Sequence, residues 1–166
     1  MKLTLGFSPC PNDTYIFGAM VHGLVDTEGL EFDYFMADVE DLNKKAFAGT
    51  TDITKMSCYA YAFAAGNYLI LNSGSALGYK NGPLLIGRKK LTDEEICSSR
   101  IAIPGKYTTA NLLFSLAWPE SVNKTEYLFS GIVDAVLENK ADAGLIIHET
   151  RFTFHEIGRA SCRERV

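Results

Sequence analysis

The chain has 166 residues, 47% of them hydrophobic and 22% charged, with a formal net charge of −4 at neutral pH. That length supports a real hydrophobic core. The acidic balance without a basic cluster argues against a nucleic-acid partner, and no apolar stretch reaches the length of a membrane span.

The N-terminus, "MKLTLGFSPCPND", lacks the long apolar segment and small-residue cleavage site of an export signal. A cytoplasmic protein is expected, with Cys10, Cys58 and Cys97 as reduced thiols. Their spacing fits no zinc or CxxC pattern. Residues 2–8, "KLTLGFS", alternate and predict a strand. Two prolines in "PCPND" break it. The spacing of Ile16, Met20 and Leu24 then predicts a helix, with Asp13 as its N-cap. Residues 30–37 predict a second strand. Asp38 caps the next helix and Gly49 stops it. Residues 51–57 predict a short third strand, and "CYAYAFAAG" a short helix. "YLILNSG" and "GPLLIGR" predict strands around the Gly-rich loop "SGSALGYKNG".

The charged stretch "KKLTDEE" reads as the joint to a second half. Residues 100–105 predict a strand. "KYTTANLLFSLA" predicts a loop turning into a helix, with Thr108 or Thr109 near its start. "TEYLF" is strand-like, "SGIVDAVLENK" predicts a helix capped by Ser130, and "ADAGLIIHE" a further strand. Strands separated by helices predict an α/β fold with largely parallel sheets. The last eleven residues, "EIGRASCRERV", have no amphipathic period and resemble the translation of a sequencing adapter. They are therefore set apart from the fold.

One internal echo stands out. "LNKKAFAGTTDITKMS" and "IVDAVLENKADAGLIIH" align at Asp52 and Asp142, with Leu42 matching Ile132 and Ala46 matching Val136. Ser57 and His148 fall near corresponding strand ends. Any helix–strand unit has this look; the sharper alternative is two related lobes facing each other across a cleft. Ligands of open parallel sheets sit beyond the C-terminal strand ends. Polar turns at residues 8–13, 55–57, 106–110 and 148–151 fall there.

Three of these turns carry candidate chemistry. "YTTAN" opens a helix, whose first amides lack partners and favour an anion such as a carboxylate; simple capping by Thr is the ordinary alternative. "SPCPNDT" presents Asn12 and Asp13 on a stiffened loop, facing a ligand or serving only as turn formers. Cys10 reads as a structural thiol. His148 ends an apolar strand, where an imidazole could abstract a proton near neutral pH, or could merely mark where the strand leaves the core. His22 falls within the first helix, and His155 abuts the odd tail. "HETRF" is not a zinc-protease motif, because Phe152 stands where the second His is required.

Taken together, "GFSPCPNDTYIF", "DVEDLN", "TKMSCYAYA", "SGSALGYKNGPLL", "IPGKYTTANLLFSLA" and "DAGLIIHETRFT" resemble the 1,4-dihydroxy-6-naphthoate synthase family of the futalosine route to menaquinone. The resemblance runs in unbroken order through residues 1–155. It implies a two-lobed fold similar to type-2 periplasmic binding proteins, with lobes at 1–90 and 91–155 and a foreign tail at 156–166. It implies a lyase that cleaves cyclic dehypoxanthine futalosine, a carboxylate substrate, with no metal or redox cofactor. The family's proton acceptor matches His148. Its substrate-binding segment matches Lys55, Met56 and Ser57, and its helix-start contacts match Thr109 and Ala110. Asn12 and Asp13 join the substrate-binding set by their placement alone. Family members continue considerably further than this chain, so both lobes are expected to be incomplete. A non-catalytic solute-binding protein of the same fold, which would not require His148, stays open. So does the chorismate dehydratase of the same pathway, although "SPCPNDT" and "LIIHETRFT" favour the synthase.

Overall fold

Two units, Met1–Leu77 and Gly78–Val166, make up the chain. The structure, a computed structural model, describes residues 1–78, 82–147 and 161–163.

The first unit runs β1 (Lys2–Phe7), α1 (Pro11–Val21), β2 (Glu31–Met36), α2 (Val39–Phe47), β3 (Ile53–Thr54) and α3 (Cys58–Ala64). Its sheet has the order β2-β1-β3, and both pairings are parallel. Leu5 and Phe7 of the central strand pack in a core that also contains Leu42, Ala46, Ala60 and Ala64. Asp38 caps α2 as expected, accepting a hydrogen bond from the Glu40 amide, and Gly49 follows the helix with φ of 64°. That left-handed turn suits glycine.

Two expectations for this unit fail. Asp13 is not the N-cap of α1. The helix starts at Pro11, whose fixed φ and missing N–H suit the first helical position, and Cys10 is the capping residue without a side-chain cap bond. Asp13 therefore sits inside the first turn. "YLILNSG" is not a strand. The Asn67 and Tyr68 amides close the end of α3 on the Ala64 carbonyl, and the Tyr68 hydroxyl donates to the Thr51 carbonyl. The run leaves along the helix end, with Leu69, Ile70 and Leu71 exposed.

The second unit runs β4 (Leu84–Gly87), α4 (Asp93–Ser98), β5 (Ile101–Ile103), α5 (Thr109–Ala117) and β6 (Lys124–Glu126). A 3-10 turn (Phe129–Gly131), α6 (Ile132–Leu137), β7 (Ala143–Ile146) and β8 (Ser161–Arg163) follow. The sheet order is β6-β5-β7-β4-β8, with β5 parallel to β6 and β7 and β4 antiparallel to β7 and β8. β4, which pattern alone groups with residues 1–90, is hydrogen-bonded into this sheet. The division accordingly falls at Leu77–Gly78. β8 lies within the last eleven residues and pairs through its backbone along the free edge of β4. An open edge accepts a strand largely regardless of sequence.

Side-chain alternation sends this sheet's residues to two opposite cores. Leu84, Ile86, Ala102 and Ile146 meet Ile132, Ala135 and Val136 of α6. Leu85, Ile101, Ile103, Ala143 and Leu145 meet Ile96 of α4 and Phe114 and Trp118 at α5. A sheet covered on both faces explains why its strands read as continuous apolar runs. α4 was not anticipated, although its start signal is present in the sequence. Thr92 accepts from the Glu95 amide at 3.2 Å, and the Glu95 carboxylate accepts from the Thr92 amide at 2.8 Å, a reciprocal capping box. Ser130 does not cap α6. It lies inside the 3-10 turn, and Gly131 takes the capping position.

The echo within the sequence has a structural counterpart. β1-α1-β2-α2-β3 and β5-α5-β6-α6-β7 share one connectivity, with strand orders β2-β1-β3 and β6-β5-β7. Asp52, just before β3, accepts from the Thr4 amide at 2.8 Å and the Thr4 hydroxyl at 2.7 Å. Asp142, just before β7, accepts from the Arg100 amide at 2.9 Å. Each aspartate ties the start of its unit's last βαβαβ strand to the start of the parallel strand beside it.

Candidate functional site

In the first unit the polar residues gather where β1 and β3 end. These strands are parallel neighbours, so the loops that leave them emerge side by side at the C-terminal end of the sheet, the usual place for ligands. The Lys55 amide donates to the Gly6 carbonyl at 2.8 Å, which anchors the residue as β3 ends. Its ammonium donates to the Gly74 carbonyl at 2.8 Å and faces Asp13 Oδ1 at 3.5 Å. Asp13 Oδ2 accepts from the Ser8 amide at 3.0 Å and the Ser8 hydroxyl at 2.8 Å. The Asp13 side chain is 7% exposed and that of Lys55 21%. Each offsets the cost of burying the other's charge. The Ser8 hydroxyl also lies 2.9 Å from Cys10 Sγ.

Ser57, the N-cap residue of α3, is held by a residue that sequence reasoning passed over. Its amide donates to Asn43 Oδ1 at 3.0 Å. Asn43 Nδ2 points to Ser57 Oγ at 3.4 Å and to Glu40 Oε2 at 3.1 Å. Asn43 is fully buried between α2 and this turn. Its only signal in the sequence is a polar residue on the inward stripe of α2, between Leu42 and Ala46. Met56 is half-buried beside these residues, whereas Asn12 is exposed. The structure thus brings Asp13 and Lys55 together, fixes Ser57 separately through Asn43, and leaves Asn12 on the surface of α1.

In the second unit the corresponding feature is the start of α5. Thr108 is the N-cap: its hydroxyl accepts from the Asn111 amide at 3.3 Å and donates to the Gly105 carbonyl at 2.8 Å. Thr109 and Ala110 are therefore the first two helical residues, where amides lack intrahelical acceptors. Capping and anion binding are compatible here, because the cap satisfies only one first-turn amide. Asn111 is buried and donates to the Lys106 carbonyl at 2.8 Å. Its Oδ1 has no hydrogen-bond partner among the described residues. β7 ends at Ile146, parallel to β5, so its exit lies at the same sheet end as the turn into α5. His148, two residues beyond β7, lies outside the described residues, as do Glu149 and Arg151. His22 is exposed just after α1.

The chemistry on offer is therefore recognition by fixed donors. Lys55 contributes an ammonium that donates to the Gly74 carbonyl and is paired in charge with Asp13. α5 contributes first-turn amides and the positive end of a helix dipole.

A protein-family profile described as "Menaquinone biosynthesis" matches residues 3–164. The chain is 44% identical over 156 residues to the 1,4-dihydroxy-6-naphthoate synthase of Thermus thermophilus. It is 36% identical over 162 residues to the enzyme of the same name from Streptomyces coelicolor. Each alignment takes in 94% of this chain and 56% of the relative, so the chain spans just over half the length of these curated relatives. A crystal structure of an Archaeoglobus fulgidus protein superposes with a TM-score of 0.89 at 39% identity, covering 97% of this chain and 59% of that one. The alkanesulfonate-binding protein SsuA of Xanthomonas axonopodis superposes with a TM-score of 0.70 at 17% identity, over 97% of this chain and 59% of its own, which is a likeness of fold alone. The α/β architecture is thus that of periplasmic-binding-protein-like folds. The chain belongs to the menaquinone biosynthesis family.

Proposed function

We propose that this protein is a 1,4-dihydroxy-6-naphthoate synthase, a lyase that converts cyclic dehypoxanthine futalosine to 1,4-dihydroxy-6-naphthoate and releases a sugar-derived fragment. The observation that carries the proposal is 44% identity to an enzyme of that name across 94% of the chain. In this reading the first turn of α5, at Thr109 and Ala110, receives the substrate carboxylate. Lys55, Met56 and Ser57 contact the rest of the substrate. His148 accepts a proton, a carbon–carbon bond breaks in a retro-aldol-like step, and formation of the aromatic naphthalene drives the reaction. Positioning and exclusion of water supply the remaining rate enhancement. No metal or redox cofactor takes part. The same reading places the protein in the cytoplasm, where Cys10, Cys58 and Cys97 stay reduced.

The test uses the protein at the full length of its relatives. It is incubated with cyclic dehypoxanthine futalosine, and naphthoate release is followed chromatographically. His148→Ala is expected to lower kcat by about 10²-fold or more while KM changes only a few-fold. Unchanged turnover in that variant would overturn the assignment of His148. The likeness in fold to SsuA raises a second reading, a non-catalytic solute-binding protein, which predicts saturable binding of the same compound with no product.

A further inference from the structure

We propose that Asp13 is a positioning residue that turns Lys55 into a charge-compensated hydrogen-bond donor for an uncharged oxygen of the substrate. The proposal deepens the reading above and rests on its assignment of Lys55 as a substrate contact.

Asp13 itself is poorly placed to bind a ligand. Its carboxylate is 7% exposed, Oδ2 accepts from the Ser8 amide and hydroxyl, and Oδ1 faces the Lys55 ammonium in an ion pair at 3.5 Å. Lys55 differs. Its ammonium donates to the Gly74 carbonyl and pairs with Asp13 at 3.5 Å, and its side chain keeps 21% of its surface. An ammonium has three donors, and the Gly74 carbonyl takes one of them, so donors remain for a ligand. The long lysine stem is flexible and its charge strongly hydrated. Asp13, fixed in the first turn of α1, and the Gly74 carbonyl remove that freedom at two points. Asp13 also cancels the positive charge locally.

A free ammonium would favour an anion. An ammonium already paired with a buried carboxylate gains little by meeting a second carboxylate beside the first, because the two negative groups repel. A hydroxyl or carbonyl oxygen suits the remaining donors better. Lys55 accordingly takes a neutral oxygen of the substrate.

The experiment is a double-mutant cycle of Asp13→Asn and Lys55→Met, measured as KM and kcat in the protein at the full length of its relatives. Asparagine preserves the shape and an acceptor for Ser8 but removes the charge. Asp13→Asn is expected to raise KM about 10-fold with kcat within about 3-fold, and to make phosphate a competitive inhibitor by uncovering the ammonium charge. Lys55→Met is expected to raise KM by a similar factor without sensitivity to phosphate. Residues that act through one another are non-additive, so the double variant should match Lys55→Met alone. Multiplicative effects on KM would overturn the proposal, because Asp13 would then act on the substrate independently of Lys55. An unchanged KM in Lys55→Met would instead overturn the underlying assignment of Lys55. Should Asp13→Asn fail to fold, Ser8→Ala removes one donor from Asp13. Its expected rise in KM of about 3-fold should vanish in the Lys55→Met background, and persistence there would count equally against the proposal.

Discussion

Gly144 lies in the middle of β7, where α6 crosses the sheet, and replacing it with alanine tests how closely the second unit is packed. A Cβ built on Gly144 would stand 2.6 Å from Ile132 Cγ2, 3.1 Å from Val136 Cγ2 and 3.7 Å from Ala102 Cβ. Carbon atoms rest at about 3.5–4.0 Å, so α6 and β7 must separate by roughly an ångström. The obstructing methyls belong to β-branched side chains, which are stiff at χ1 and cannot swing aside as a long chain end could. Overpacking of this kind costs about 1–3 kcal/mol. The reduced chain entropy of the unfolded alanine variant offsets about 0.5–1 kcal/mol of it. At the middle of these ranges a net loss of about 1 kcal/mol is expected.

The single tryptophan makes the assay local. Trp118 is 4% exposed, packs against Phe114 in the same unit and donates to Asp93 at 2.9 Å. Its fluorescence therefore reports unfolding of the unit that contains Gly144. For a unit of this size a urea m-value of about 1 kcal/mol/M converts the loss into a fall of about 1 M in the midpoint. Gly131→Ala is the control. Nothing lies within 4 Å of its Cβ position, its φ is −91°, and its effect should stay within about 0.5 kcal/mol. Equal midpoints for Gly144→Ala and the parent protein would refute the claim that α6 seats directly on the β7 backbone.

Two further predictions use the same fluorescence readout. The Arg100 guanidinium, bound to Asp142 at 2.7 and 3.0 Å, holds that carboxyl at about 2, well below its ordinary value of 3.8. A lowered carboxyl stabilises the fold above pH 4, and that contribution is lost as the pH falls from about 4 to about 2. The shift alone would correspond to about 2 kcal/mol. Solvent screening of a partly exposed pair reduces this to about 1 kcal/mol or less. Asp142→Asn should flatten the fall of the urea midpoint between pH 5 and pH 2.5, and an identical pH profile would count against the pair. Thr108→Ala removes the cap of α5 and should cost about 1 kcal/mol, with Thr108→Ser restoring most of it. Equal loss in both variants would mean that the hydroxyl does not cap the helix.

Alternation and local caps made much of the fold legible in the sequence. β1 announces itself in "KLTLGFS", α2 between Asp38 and Gly49, and α5 behind Thr108, because each signal is a property of neighbouring residues. The alternation of such segments is enough for an α/β fold with parallel strands. The same local logic misled at Asp13, which has the chemistry of a cap. Pro11 starts the helix two residues earlier and frees Asp13 for another task. It also misled at "YLILNSG", whose apolar run lacks the ladder partner that a strand needs. α4 escapes the pattern although its capping box stands in the sequence, because its acidic first turn has the composition of a joint.

What the sequence determined by itself was the α/β alternation, the family motifs and most of the places where strands end. Tertiary structure decided how those places are used. β4 joins the second sheet because its apolar residues find β7 across a long stretch of chain, and no periodicity encodes that partner. Asn43 holds Ser57, and Asp13 holds Lys55, across loops whose closure depends on parallel pairing of β1 with β3. Hydrogen-bond and ion-pair partners are set by distance in space. A one-dimensional pattern records which groups need partners, and only the folded chain assigns them.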